Sequence, residues 1–382
     1  MTKRRFLVLA GSILAVCLSL LPVETGLHAA SDTLPARLTD QEFWKLVTDS
    51  SEADGTFHSE NLVSNEARFQ YVLPELLRAP KTGRVYVGVG SEQNFTYIVA
   101  LKPAMAFIVD IRRGNLDLHL AYKALFELSA NRAEFVGRVF SKQQPAGLTT
   151  SSTAAQIFAA YEKVPSSQML HDGNLKAIKT QLVTKHGYAL SNGDLGGIDF
   201  VYGSWFESGP AIHYQLNGQQ GGRGGAGGFP TYADLMTADD GTGKQRSYLA
   251  NEASFLFMKD LETRNMLVPM VGNFAGPKAI RAVAAYVKQK DATVEAFYLS
   301  NVEQYLRQDN IWGQFCQNAA TLPIDSTSMF IRSARGGFGG FGGPGGFGGA
   351  VNGRAGPGGF ASDTASMAAE RAAGCGSNAA RR

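Results

Sequence analysis

The stretch RVYVGVGSEQNFTYIVALKPAMAFIVDIRRGN, residues 84–115, decides the fold. Val85 to Val89 is β-branched and aromatic, which reads as a strand. Gly88 and Gly90 turn the chain, Ser91 is placed to cap a helix, and residues 92–101 form that helix up to Pro103. Met105 to Ile111 is an apolar run closing on Asp110, as expected for a parallel strand covered on both faces. Strand, glycine turn, helix and acid-terminated strand make the first half of a Rossmann-type unit.

Downstream, Met266–Val271, a helix opened by Pro277 and running to Lys288, and Thr293–Leu299 repeat the strand–helix–strand pattern. IDFVY, residues 198–202, reads as a third strand, and Ser328–Arg332 as a last one. Upstream, residues 31–83 read as a helical N-terminal cap: Thr39 with Glu42 opens one helix, and Ser64-Asn65-Glu66 caps another. The sequence therefore predicts an α/β fold over residues 84–332, a mostly parallel Rossmann-like sheet flanked by helices. GQQGGRGGAGG, residues 218–228, reads as a flexible insertion lacking the strand and helix of a phosphate loop. Residues 333–382 are glycine- and alanine-rich and read as a disordered tail, having too little apolar surface to offset ordering entropy.

Residues 1–30 form a targeting segment. Lys3, Arg4 and Arg5 precede an apolar run from Phe6 to Val23, and Ala29-Ala30 precede polar residues. The segment reads as a cleaved export signal or, at about 18 apolar residues, as an uncleaved membrane anchor; either places the body outside the cytoplasm. Of three cysteines, Cys316 alone falls in the expected folded body, so no disulfide framework is foreseen; a Cys316–Cys375 bridge would tie the fold to the tail. A net charge of +3 is too small to argue for nucleic acid or an anionic membrane surface as partner. The histidines show no ligand spacing, so no metal site is expected. No GxSxG elbow is present.

Ligands of open parallel sheets bind beyond the carboxyl ends of the strands. That rule selects Gly88, Gly90, Gln93, Asn94 and Asp110 against a cofactor. It selects Tyr202, Ser204 and Trp205 (third strand), Asn273 (fourth) and Ser300 and Asn301 (fifth) against a substrate. Asp110 lies about 20 residues after Gly88, where an acid can accept hydrogen bonds from ribose hydroxyls. A dinucleotide site wants a third glycine where this chain has Gln93, and a pyrophosphate on the helix N-terminus would meet Glu92. A phosphate-free nucleoside fits this pattern better.

Residues 84–115 resemble the first two motifs of class I S-adenosylmethionine-dependent methyltransferases. The resemblance implies that Gly88 and Gly90 approach the methionine part of S-adenosylmethionine and that Asp110 holds its ribose. Where that family carries Asn-Pro-Pro-Tyr, this chain has GSWFESGP. The whole chain also resembles uncharacterised exported bacterial proteins carrying SENLVSNE (59–66) and YLSNVEQYL (298–306) segments. Two functions follow as expectations. One is a nucleoside-binding, methyltransferase-like protein with a small-molecule ligand. The other, prompted by export away from the cytoplasmic donor, is a catalytically silent binding or interaction module.

Overall fold

The computed structural model describes residues 34–78, 81–214, 229–335 and 360–375. The expected export segment at 1–30 and the expected insertion at 218–228 lie outside them. The N-terminal part contributes α1 (Asp40–Ser50), opened by a Thr39–Glu42 capping box, then an extended loop and a 3-10 turn (Phe69–Val72) running into α2 (Leu73–Leu76). The first unit follows as β1 (Val85–Gly88), α3 (Gln93–Leu101) and β2 (Met105–Asp110). Among the described residues seven α-helices come next: α4 (Arg113–Leu128), α5 (Arg132–Val139), α6 (Ala154–Glu162), α7 (Gln168–Lys179), which runs on into a π-helical turn (Thr180–Lys185), α8 (Asn192–Ser208), α9 (Tyr232–Thr237) and α10 (Glu252–Thr263). The second unit is β3 (Leu267–Val271), α11 (Ala279–Gln289) and β4 (Val294–Ser300). The chain then forms α12 (Val302–Gln308), α13 (Trp312–Ala319), β5 (Met329–Arg335), β6 (Phe360–Ser366) and α14 (Met367–Ala372).

The strands form one six-stranded sheet in the order β3-β2-β1-β4-β5-β6. All pairs are parallel except β5 with β6. Every residue of β1, β2 and β3 is buried, which explains their lack of hydropathic alternation. Phe107, Val87, Phe297 and Phe330 stand in register across four strands and so share one face. That face packs on Tyr286 of α11, Phe274 and Phe315 of α13. The other face presents Tyr86 and Tyr298, which meet Tyr97 of α3.

Two sequence expectations change here. IDFVY is not a strand: residues 198–202 lie inside α8, and β2 is followed in the sheet by β3. Ile198, Val201, Tyr202 and Trp205 are buried at helical spacing, while Phe200 is 48% exposed. A Ser191–Asp194 capping box starts the helix. β-propensity lost to a helical burial stripe with a good cap.

The tail is the second change. Residues 360–375 are ordered: β6 pairs along its whole length with β5, and α14 follows. An edge strand needs little apolar surface because backbone hydrogen bonds to its neighbour do much of the ordering. Met367 is buried in the core, Glu370 pairs with Arg332 at 3.0 Å, and Cys375 is bonded to Cys316. Residues 336–359 and 376–382 lie outside the described part.

Candidate functional site

A cavity of about 190 Å³ lies beyond the carboxyl ends of β1, β2, β3 and β4, covered by the 56–65 loop of the N-terminal part. Val89, Gly90 and Gln93 reach it from β1, Asp110 and Arg112 from β2, Asn273 from β3, and Ser300 and Asn301 from β4. Phe57 and Tyr305 line it as well, in edge-to-face contact at 5.1 Å.

The expected cofactor residues divide into two groups. Gly90, Gln93 and Asp110 line the cavity, whereas Gly88 and Asn94 are absent from its wall. Gly90 has φ +80°, which favours glycine, and its carbonyl accepts from His119 Nε2 at 2.8 Å. Nε2 must therefore carry the ring proton, and burial lowers the His119 pKa to about 4, keeping it neutral. Gly88 sits inside the strand, where a Cβ would come within 2.0 Å of Asn94 Oδ1. Asn94 builds the turn: it accepts from Tyr86 Oη and donates to the carbonyls of Val89 and Ser91. Ser91 does not cap α3; its hydroxyl donates to Gln93 Oε1 at 3.0 Å.

Asp110 is already engaged. Oδ1 accepts from the Arg112 backbone N–H and Nε, and Oδ2 from Arg112 Nη2, all at 3.0 Å. A carboxylate offers about four acceptor sites. Three are used, so Asp110 can take one ribose hydroxyl rather than two. Arg112 also donates through Nη1 to the carbonyls of Ser59 and Glu60, tying the cover loop to β2. Arg113 pairs with Asp194 at 2.7 Å.

Two helix starts near the cavity, those of α11 and α4, are filled by carboxylates of the N-terminal part. Glu52 accepts from the backbone N–H groups of Asn273, Lys278 and Ala279, at the start of α11. Asp54 accepts from the N–H of Arg113, the first residue of α4, at 2.6 Å. At α3 the N–H groups of Asn94 and Phe95 turn back to the carbonyls of Ser91 and Glu92. Phosphate recognition at helix starts depends on such donors being free.

Glu92 acts differently from the sequence expectation. Its side chain points inward, fully buried, and accepts from the Ser64 N–H at 3.1 Å, joining the cover loop to the glycine turn. Burial raises its pKa to about 7. In the unfolded chain it titrates near 4.5, so between these values the folded state holds a proton that the unfolded state has released. Stability contributed by this group falls as pH rises through that window. Glu92→Gln is expected to flatten that decline, seen as a smaller difference between urea midpoints at pH 5 and pH 8. An unchanged difference would remove Glu92 as a titrating group.

Of the expected substrate residues, Asn273, Ser300 and Asn301 line the cavity, while Tyr202, Ser204 and Trp205 do not. The last three belong to α8 and serve its packing. Tyr202 donates to the Arg138 carbonyl, Ser204 to the Phe200 carbonyl, and Trp205 is fully buried against Tyr122. Their selection followed from the strand assigned to 198–202.

Glu66 was expected to cap a helix or to cover the pocket from the N-terminal part; no helix starts beside it, the next turn beginning at Phe69. Instead it lies behind the cavity wall, 1% exposed, and accepts on Oε1 from Tyr298 Oη at 2.8 Å and Ser300 Oγ at 2.5 Å. Gln93 Nε2 donates in turn to Tyr298 Oη at 3.1 Å. Burial raises the Glu66 pKa, against the opposing pull of the Ser300 and Tyr298 hydrogen bonds. Glu52 and Asp54 were likewise not foreseen in these roles, because each acts on groups distant in sequence. Among the described residues no cluster of His, Cys, Asp or Glu is arranged to hold a metal ion, and no helix is long and apolar enough to cross a membrane.

A family model described as a domain of unknown function (DUF7790) matches residues 61–347. The match includes Glu66, the sheet from β1 to β5 and Ser300; Glu52 and Asp54 precede it. No curated protein matches the chain.

Proposed function

The chain belongs to the DUF7790 family, and we propose that it binds a phosphate-free nucleoside, S-adenosylmethionine or a relative, in a methyltransferase-like Rossmann fold. The observation that carries this reading is the strand order. β2 and β4 flank β1, so the order reverses there, and the cavity opens at the carboxyl end of that strand. Doubly wound sheets take their ligands at such a point. Gly90 allows close approach of the backbone, and Asp110 keeps one acceptor for a ribose hydroxyl. Glu52 and Asp54, seated at helix starts, argue against a phosphorylated ligand. The Cys316–Cys375 bond supports export, since disulfides persist in oxidising compartments. As a transferase the protein would act by positioning donor and acceptor, with little covalent chemistry of its own.

A second reading, a catalytically silent exported binding module, is favoured by the Asp110–Arg112 pair, which occupies most of the carboxylate. Calorimetric titration of S-adenosylmethionine and S-adenosylhomocysteine into the intact protein tests the shared premise. Binding is expected, and Asp110→Ala should weaken it by about 1–3 kcal/mol, the scale of a lost hydrogen bond to a charged group. No heat at millimolar ligand would remove the nucleoside reading. Binding without methyl transfer to any offered acceptor would favour the silent module.

A further inference from the structure

We propose that Ser300 is a nucleophile with Glu66 as its proton acceptor, a dyad able to cleave small carboxylic esters at the β4 end of the cavity. The inference goes beyond nucleoside binding and does not rest on it.

Two independent features of the backbone and side chains converge. Ser300 is the last residue of β4 and has φ +50°, a left-handed conformation that non-glycine residues seldom adopt. Such strain persists where the surroundings enforce it, and it clusters at functional sites. A sharp strand-to-helix turn of this kind presents a serine hydroxyl above the sheet, and Ser300 lines the cavity there. No GxSxG motif announces it; the tertiary structure makes the turn with Leu299-Ser300-Asn301.

The second feature is the proton acceptor. Ser300 Oγ lies 2.5 Å from Glu66 Oε1, within the reach required of a nucleophile and its base. Tyr298 fixes the same oxygen. Burial makes Glu66 more basic than an exposed carboxylate, which suits it to accept a proton. Val302 and Leu306 supply apolar wall beside Ser300, suited to a short acyl chain.

The chemistry balances with water alone. Ser300 Oγ bonds to the ester carbonyl carbon while its proton passes to Glu66 Oε1. The carbon–alkoxy bond then breaks, and the departing alcohol takes the proton from Glu66. Water attacks the acyl-serine, gives one proton to Glu66, and releases the carboxylic acid as that proton returns to Ser300 Oγ. Nothing is oxidised or reduced.

The test treats the intact protein with a fluorophosphonate probe, followed by peptide mass spectrometry, and measures p-nitrophenyl acetate hydrolysis in parallel. The expected result is a covalent adduct on Ser300 and hydrolysis that disappears in Ser300→Gly, a replacement the left-handed backbone accepts. Glu66→Gln, checked for an unchanged melting curve, should label and turn over roughly 10²-fold or more slowly, the scale of a lost general base. An unmodified Ser300 under conditions that label a control serine esterase completely overturns the proposal. So does hydrolysis undiminished in Ser300→Gly, or full reactivity in folded Glu66→Gln. Should Glu66→Gln fail to fold, the wild-type labelling site and Ser300→Gly decide the question.

Discussion

Arg132→Ala is expected to destabilise the fold by about 3–5 kcal/mol, the usual cost of removing one partner from a buried ionic contact. Arg132 opens α5 and is 2% exposed. Its Nε donates to Glu252 at 3.3 Å, Nη1 to the carbonyls of Leu249 and Ala250, and Nη2 to those of Thr150 and Ser152. All five guanidinium N–H groups are thereby used. The side chain joins three segments that share no secondary structure: the start of α5, the loop before α6 and the loop before α10. Alanine would leave a carboxylate and four carbonyls short of a donor. Lysine would not restore them, since three donors on one atom cannot span the fork. Urea denaturation reads the loss directly. A midpoint within experimental scatter of wild type would show that water replaces the guanidinium at no cost. Adding Glu252→Gln to Arg132→Ala should recover part of the loss by removing the stranded charge.

Cys316→Ser is expected to cost about 4 kcal/mol, from the chain-entropy relation for a bridge closing a 59-residue separation. The bond joins α13 to the residue just beyond α14, and the Cys375 carbonyl also accepts from Trp312 Nε1 at 3.1 Å. Between the two cysteines lie β5, a long glycine-rich connection and β6. Without the bridge, β6 and α14 would be held by the β5 ladder, Met367 and the Arg332–Glu370 pair. Reduction should reproduce the effect of the substitution, and limited proteolysis should then cut within 360–375 before any other described segment. Equal stability of the oxidised and reduced protein would mean that β5–β6 pairing alone orders this segment.

The residues show why some of this was readable and some was not. The 84–115 unit and the 267–299 unit are encoded locally: β-branched runs, turn glycines and a proline at the start of a helix act within a few residues of themselves. The Thr39–Glu42 capping box is read in the same way. IDFVY misled because five residues with high strand propensity sit within a longer helical stripe, and the burial of Trp205, at helical spacing from Ile198, outweighs them. The tail misled because composition measures apolar surface, whereas β6 is ordered by backbone pairing and a covalent bond to a helix far back in the chain.

The class of fold, the glycine turn at β1, the acid that closes β2, and the place of Asn273, Ser300 and Asn301 in the cavity wall were legible from residue order alone. These follow from local geometry and from where parallel strands must end. What faces what was set by the folded chain. It brought Glu66 to Ser300 across 234 residues, turned Glu92 inward, and seated Glu52 and Asp54 on helix starts. It also gave Asp110 to Arg112 before any ligand arrives. Hydrogen bonds and buried charges are chosen by distance in space, and no spacing along the chain records that distance.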